Sequence, residues 1–327
     1  MSRLDYKEFD KNPFVFRIWN GGMINQLMSI EFASATAAFF SRRGILIESC
    51  EISSQANYVG DRNNLSIFDL IDIPDFLSIH DTTLDFSNFD KIGTPSTFYI
   101  GKHDTLFGDG RKLLELDADK NYYFDNTLCN YSIMFSGRTH NVDLALSRIQ
   151  FKREYVELAN YICLQLGSFN GIHLRFTDFG KQILKLKKKD ITNSIHELSD
   201  NKILISTDDP NAFSANADKI VNVASLIINE YFRDFASLSI ASELTLGLVS
   251  LLIMCKSQKF IGTPMSTYSN YIHRNINQRN RGVHDWRSVG RTNRQYSGPY
   301  SWNSYQDTPI DQKVWGYEWP ESLLMLG

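Results

Sequence analysis

In the second half of the chain four short apolar or branched runs, Ile172–Leu174, Lys202–Ser206, Lys219–Val223 and Lys259–Ile261, alternate with stretches of helical composition. Parallel strands need a long crossover between them, usually a helix, so this alternation restricts the segment to an open parallel sheet with helices on its faces. The front of the chain repeats the pattern. Phe14–Trp19 reads as a strand, Asn20-Gly21-Gly22 as a tight turn, Asn25 to Phe40 as a helix and Ile45–Glu48 as the next strand. Arg42-Arg43-Gly44 supplies the cations and the glycine expected at a helix end. The signals from about Ser53 to Asn130 are weaker, and strands there are assigned only loosely. Arg153–Leu166 is helical by spacing, with Tyr155, Leu158, Ala159, Ile162 and Cys163 on one face. A length of 327 residues suits two α/β domains, and the loop at Gly167–Asn170 sets the expected boundary, giving residues 1–168 and 169–327.

Composition narrows the class of partner. With 43% hydrophobic residues, 22% charged and a net charge of −3, the chain carries no global field for nucleic acid or membranes. The longest apolar passage, Leu244–Cys255, is too short to span a bilayer and reads as part of a helix over about Phe235 to Cys255 sandwiched between layers. The charged amino terminus lacks a signal-peptide core, so a cytoplasmic location is expected, with a catalytic fragment cut from an anchor as the alternative. Cys50, Cys129, Cys163 and Cys255 stand far apart without a CxxC, which predicts reduced thiols. From about 277 the chain is poor in aliphatics and mixes arginines with aromatics. Such a segment can stack nucleic-acid bases, but without a basic excess it is better read as an excursion packing on a domain or walling an acceptor cleft. The run Lys185–Lys189 reads as a solvated loop.

The chemistry concentrates in three places. In GIHLRFTD, residues 171–178, His173 and Arg175 emerge at the carboxyl end of a strand, where open α/β sheets bind ligands. The planar fork of Arg175 suits a phosphate. In GGMINQ, residues 21–26, Gly21 and Gly22 allow close backbone approach and Asn25 brings an amide to a helix start. The glycines do not fit GxGxxG, and no GxxxxGK[ST] occurs anywhere. In KFIGTPMSTYSNYI, residues 259–272, Ser266, Thr267 and Tyr268 open a helix, where hydroxyls and free amides either cap the helix or hold an anion. Between these, ISTDDP puts Asp208 at a strand end, able to accept from base or ribose donors or to cap the next helix.

Taken in order, Gly-Gly-x-x-Asn-Gln, His-x-Arg-x-x-Asp, Ser-Thr-Asp-Asp and Gly-Thr-x-x-Ser-Thr-Tyr resemble the inverting fucosyltransferase superfamily. That group includes the protein O-fucosyltransferases, nodulation chitooligosaccharide fucosyltransferases and α1,2-fucosyltransferases. The resemblance implies a GT-B architecture, with two Rossmann-like domains facing a cleft and GDP-fucose held mainly by the second. It implies that Arg175 binds the β-phosphate and stabilises the leaving diphosphate, that Asn25 faces the sugar and phosphate, and that Ser266, Thr267 and Tyr268 hold the diphosphate. His173 and Asp208 would lie near the nucleoside. The sequence has one arginine in HLRF where several relatives have two. No metal, and no cofactor besides the donor, is implied; the partners are a GDP-sugar and a glycan or glycoprotein acceptor.

Displacement at the sugar C1 puts charge on the departing GDP, and fixed donors at that oxygen lower the barrier. Asp178 is a candidate base, beside a base-free path. Two other readings compete. Asp117-Ala118-Asp119 is a DxD after an apolar run, the way metal-dependent GT-A enzymes hold Mn²⁺ or Mg²⁺ on a diphosphate. The other is a non-catalytic nucleotide-sugar or glycan-binding protein.

Overall fold

The computed structural model describes residues 13–18, 22–47, 65–80, 97–100, 121–127, 148–175, 188–209, 220–263 and 266–279. It has the expected α/β class, with separate parallel sheets in two units whose described residues divide between Phe151 and Lys152.

The first unit contains β1 (Phe14–Ile18), α1 (Met23–Phe39), β2 (Gly44–Ile47), β3 (Ile71–Asp72), β4 (Leu77–His80), β5 (Thr97–Ile100), β6 (Asn121–Thr127) and β7 (Gln150–Phe151). Its main sheet runs β4-β2-β1-β6-β5 with every pairing parallel, while β3 and β7 form a small antiparallel pair. The central strand β1 buries Phe14, Val15, Phe16 and Ile18 and exposes only Arg17, because a strand covered on both faces needs apolar residues at successive positions. Phe16 stacks on Phe124 of β6 at 4.7 Å and meets Phe32 of α1 edge-on at 6.1 Å, so aromatic contacts tie the helix to the sheet. Strands β1, β2 and β4 build outward to one side and β6 and β5 lie on the other. The strand order therefore reverses between β1 and β6, and the Gly22 turn leaves β1 at that reversal.

The end of α1 differs from the sequence expectation. Helix α1 stops at Phe39, Ser41 takes the left-handed conformation with φ 53°, and Gly44 already belongs to β2. A Cβ on Gly44 would come 2.5 Å from Leu77 Cδ2, so this glycine lets β2 and β4 approach and does not end the helix. Arg42 turns inward, 1% exposed, with its guanidinium 4.1 Å over the Phe14 ring.

The second unit contains α2 (Arg153–Leu166), β8 (Phe169–Leu174), α3 (Lys188–Glu197), β9 (Lys202–Thr207), β10 (Ile220–Asn222), α4 (Val223–Glu230), α5 (Phe232–Ala236), α6 (Glu243–Met254), β11 (Phe260–Ile261) and α7 (Thr267–Arg279). The sheet runs β10-β9-β8-β11, all parallel, and β8 is buried along its whole length. Helix α2 buries Tyr155, Leu158, Ala159 and Ile162 and packs on α6. That packing places α2 with the second unit, so the division falls ahead of the Gly167–Asn170 loop read as the boundary, and Phe169 and Asn170 already belong to β8. The apolar stretch from Phe235 is two helices. Ser242 breaks it by capping α6, accepting from Thr245 N–H at 3.2 Å while its own N–H donates to Thr245 Oγ1 at 2.8 Å. No described helix is long and apolar enough to cross a membrane.

At the amino ends of this sheet, Asn170 is 1% exposed and engages both donors and its oxygen. Nδ2 donates to Leu198 C=O at 3.1 Å and to Asp200 Oδ1 at 2.9 Å, and Oδ1 accepts from Lys259 N–H at 3.2 Å. One side chain thus fastens β8, the turn before β9 and the entry to β11.

Candidate functional site

Strands β8, β9 and β10 build outward to one side, whereas β11 lies on the other side of β8, so the order of the second sheet reverses between β8 and β11. A crevice opens at the carboxyl ends of strands on either side of such a reversal. His173 is the penultimate residue of β8 and Arg175 the first beyond it, while Thr263 follows β11 and leads into α7.

Thr263 organises this end of the sheet. Its buried hydroxyl donates to His173 C=O at 2.8 Å and accepts from Arg175 N–H at 2.9 Å, which fixes the backbone on both sides of Leu174. Its own N–H donates to Ser269 Oγ at 2.9 Å, and that oxygen lies 2.7 Å from His173 Nδ1. The His173 ring stacks on Tyr268 with centroids 4.5 Å apart. Tyr268 in turn donates its hydroxyl proton to Gly247 C=O at 3.2 Å, and its single proton being spent there, Ser206 Oγ must donate to it across 3.3 Å.

The electrostatics follow from burial. His173 is pushed down from 6.5 to about 3, first by desolvation and then by the Arg175 charge, so its ring is neutral at neutral pH. Burial pushes the Tyr268 phenol up, and the hydroxyl of Ser206 opposes this only in part. Tyr268 therefore stays protonated, with its hydroxyl turned into the protein.

Ser266 precedes α7 and is 1% exposed, yet its Oγ has no hydrogen-bond partner among the described residues. It does not cap the helix with its side chain. Leaving a buried hydroxyl unpaired costs roughly 1–3 kcal/mol, a cost that a bound oxygen ligand removes. Thr267, also buried, is the first residue of the helix, where N–H groups and the helix dipole favour an anion. Asp208 lies half-buried just past the carboxyl end of β9, and the following Asp209 N–H is taken by Thr207 Oγ1 at 3.2 Å.

In the first unit, Asn25 stands in the first turn of α1, and its buried Oδ1 finds no partner among the described residues. Gly22 is the N-cap, with φ −61° and ψ 164°, and its C=O accepts from Gln26 N–H at 3.2 Å. A Cβ there would meet nothing within 4 Å, so the fold itself leaves room for a side chain. Gly22→Val is accordingly expected to keep a melting temperature near that of the parent, and a loss of turnover with folding intact would mark the open space beside this turn as functional. Parallel loss of both in thermal melts and activity assays would make the turn purely structural.

Gly21, Asp178, Asp117 and Asp119 lie outside the described residues, as does the chain from 280 onward. No group of three or more His, Cys, Asp or Glu suited to a metal occurs among the described residues. Thr263, Ser269 and Ser206 were not singled out in the sequence. Their signal was a hydroxyl directly after a strand, a second one a turn into the following helix, and a third at the end of the neighbouring strand.

No family model matches the chain, and no curated protein matches it. Solved structures similar to it include the fucosyltransferase NodZ from Bradyrhizobium, at 14% identity and a TM-score of 0.49, covering 80% of this chain and 91% of that one. POFUT1 in complex with GDP-fucose is similar at 14% identity and a TM-score of 0.44, covering 86% of this chain and 99% of that one. A variant of Arabidopsis thaliana FUT1 in complex with GDP is similar at 13% identity and a TM-score of 0.44, covering 82% and 70%.

Proposed function

We propose that this chain is a GT-B glycosyltransferase that moves fucose from GDP-fucose to a glycan or protein hydroxyl, with inversion and without a metal. The observation that carries the reading is the pairing of Arg175, its backbone held by Thr263, with a helix start whose buried Ser266 hydroxyl has no partner among the described residues. Both stand at the reversal point of one parallel sheet. A cation, a hydroxyl and a helix amino terminus at such a crevice suit a nucleoside diphosphate. The order of the four motifs, through their resemblance to the inverting fucosyltransferases, supplies the sugar and the base.

In this reading Arg175 grips the β-phosphate as charge builds on the leaving GDP, and Ser266, Thr267 and the first N–H groups of α7 share that charge. The backbone at Arg175 is held by Thr263 and the N–H groups of α7 by the helix, so these parts of the site need little reorganisation as the bond breaks. His173 and Asp208 flank the nucleoside. Tyr268 acts by supporting His173, since its hydroxyl is spent on Gly247 and Ser206. Asn25 and the glycine turn contribute to the sugar and phosphate, the role that the motif resemblance implies for Asn25. The acceptor hydroxyl attacks C1 from the face opposite GDP, its proton passing to Asp178 or to solvent. The two domains of this reading are those expected from the sequence, residues 1–168 and 169–327, except that α2 goes with the second and moves the boundary to about residue 152.

The test is a thermal-shift panel of GDP, UDP, CDP and ADP, each with and without EDTA. A ligand at 100 times its Kd stabilises the native state by about 2.7 kcal/mol, which raises Tm by several degrees. GDP alone is expected to give that shift, with EDTA making no difference. Binding abolished by chelation, together with the same loss in Asp117→Ala or Asp119→Ala, would instead establish the metal-dependent reading. GDP binding without GDP release from GDP-fucose would establish a binding protein.

A further inference from the structure

Ser269 Oγ has one proton to give and two lone pairs to offer, and its surroundings decide how they are used. The oxygen accepts the Thr263 N–H at 2.9 Å and lies 2.7 Å from His173 Nδ1, and no third partner occurs among the described residues. Were Nδ1 protonated, two donors would point at the serine oxygen, and the serine proton would have no acceptor inside a residue that is 0% exposed. With Nδ1 as acceptor every group is paired: Thr263 N–H donates to Ser269, and Ser269 donates to the ring. We propose that Ser269 is a positioning residue that fixes His173 in the neutral tautomer with its proton on Nε2, so that His173 presents a hydrogen-bond donor, and not a base, to the bound substrate.

The remaining surroundings agree. Nε2 has no hydrogen-bond partner among the described residues, and the residue as a whole is 6% exposed. Burial and the nearby Arg175 charge both oppose the imidazolium, and the Tyr268 face stacked on the ring is that of a neutral phenol. Thr263 completes the arrangement from the backbone, holding the His173 carbonyl with its hydroxyl while its N–H orients Ser269. A ring protonated at Nε2 and already accepting at Nδ1 has no site for the proton of an attacking hydroxyl. It can only donate, and the matching group is an acceptor oxygen of the nucleotide sugar.

The identity of that oxygen rests on the GDP-sugar reading; the tautomer does not. The experiment is ¹⁵N NMR of the full chain labelled at histidine, with the His173 ring signals assigned in the wild type by their contacts to the Tyr268 ring and checked by their loss in His173→Gln. The expected result at neutral pH is an unprotonated Nδ1 and a protonated Nε2. A protonated Nδ1, or a charged ring, in the wild type overturns the proposal even if the variants fail to fold. In Ser269→Ala the ring is expected to shift toward the other tautomer, and affinity for GDP-fucose to fall roughly five- to tenfold, the loss of about one net hydrogen bond. A shifted tautomer with unchanged affinity for both GDP and GDP-fucose overturns the donor role. Failure of the wild type to bind GDP at all refutes the GDP-sugar reading and leaves the ring signals to decide the tautomer.

Discussion

Arg175→Ala is expected to lower turnover by roughly 10²-fold or more, the usual consequence of removing one preorganised donor from a charge that develops in the transition state. Folding should persist, because one bond that anchors this position, Arg175 N–H to Thr263 Oγ1, belongs to the backbone and survives the substitution. Arg175→Lys keeps the charge but loses the two-pronged geometry, so it should restore only part of the rate. GDP release from GDP-fucose, measured beside melting temperature for the wild type and both variants, separates the cases. A structural arginine would show the reverse pattern, a lower melting temperature with specific activity nearly intact, and that outcome sinks the mechanism.

Acid is expected to unfold the second unit through His173. Its pKa is about 3 in the fold and 6.5 in an ordinary environment, so between these values the unfolded chain binds the proton that the folded one refuses. Stability is then full above about pH 6.5 and falls as pH drops toward 3. At pH 5 the loss from this one group is about 2 kcal/mol. Urea unfolding at pH 7 and pH 5 measures it, and in His173→Gln most of that difference should vanish. The same pH dependence in the variant would assign the acid sensitivity elsewhere. Since the Arg175 charge is the second cause of the depression, Arg175→Ala should also flatten the dependence slightly while leaving the larger, desolvation part in place.

What was legible in the sequence was whatever depends on short-range pattern. The boundaries of α2 came directly from its spacing, and the second sheet's strands came within a few residues, because buried parallel strands read as apolar runs. The helix start at Thr267 was marked by its hydroxyls. Long-range facts were not legible. Gly44 looked like a helix stop because the residues before it are cationic, while its role is set by Leu77, a neighbour through strand pairing. Thr263 and Ser269 passed as turn and cap residues because only the adjacency of β8 and β11 brings them to His173 and Arg175. Tyr268 was read as a ligand group, and its hydroxyl turns away to α6, which no spacing along the chain announces.

The Asn170 amide has a bearing on how this chain tolerates change. At that rim of the sheet both N–H donors and the oxygen of one side chain are engaged within its own protein, whereas at the opposite rim the Ser266 hydroxyl is left unspent among the described residues. The two rims of the second sheet thus differ at these two side chains, one engaged at all its polar atoms and one with a hydroxyl still to offer. Under the proposed function, a change at Asn170 is felt through the abundance of folded protein and a change at Ser266 through chemistry, so the two ends of one small sheet can vary separately.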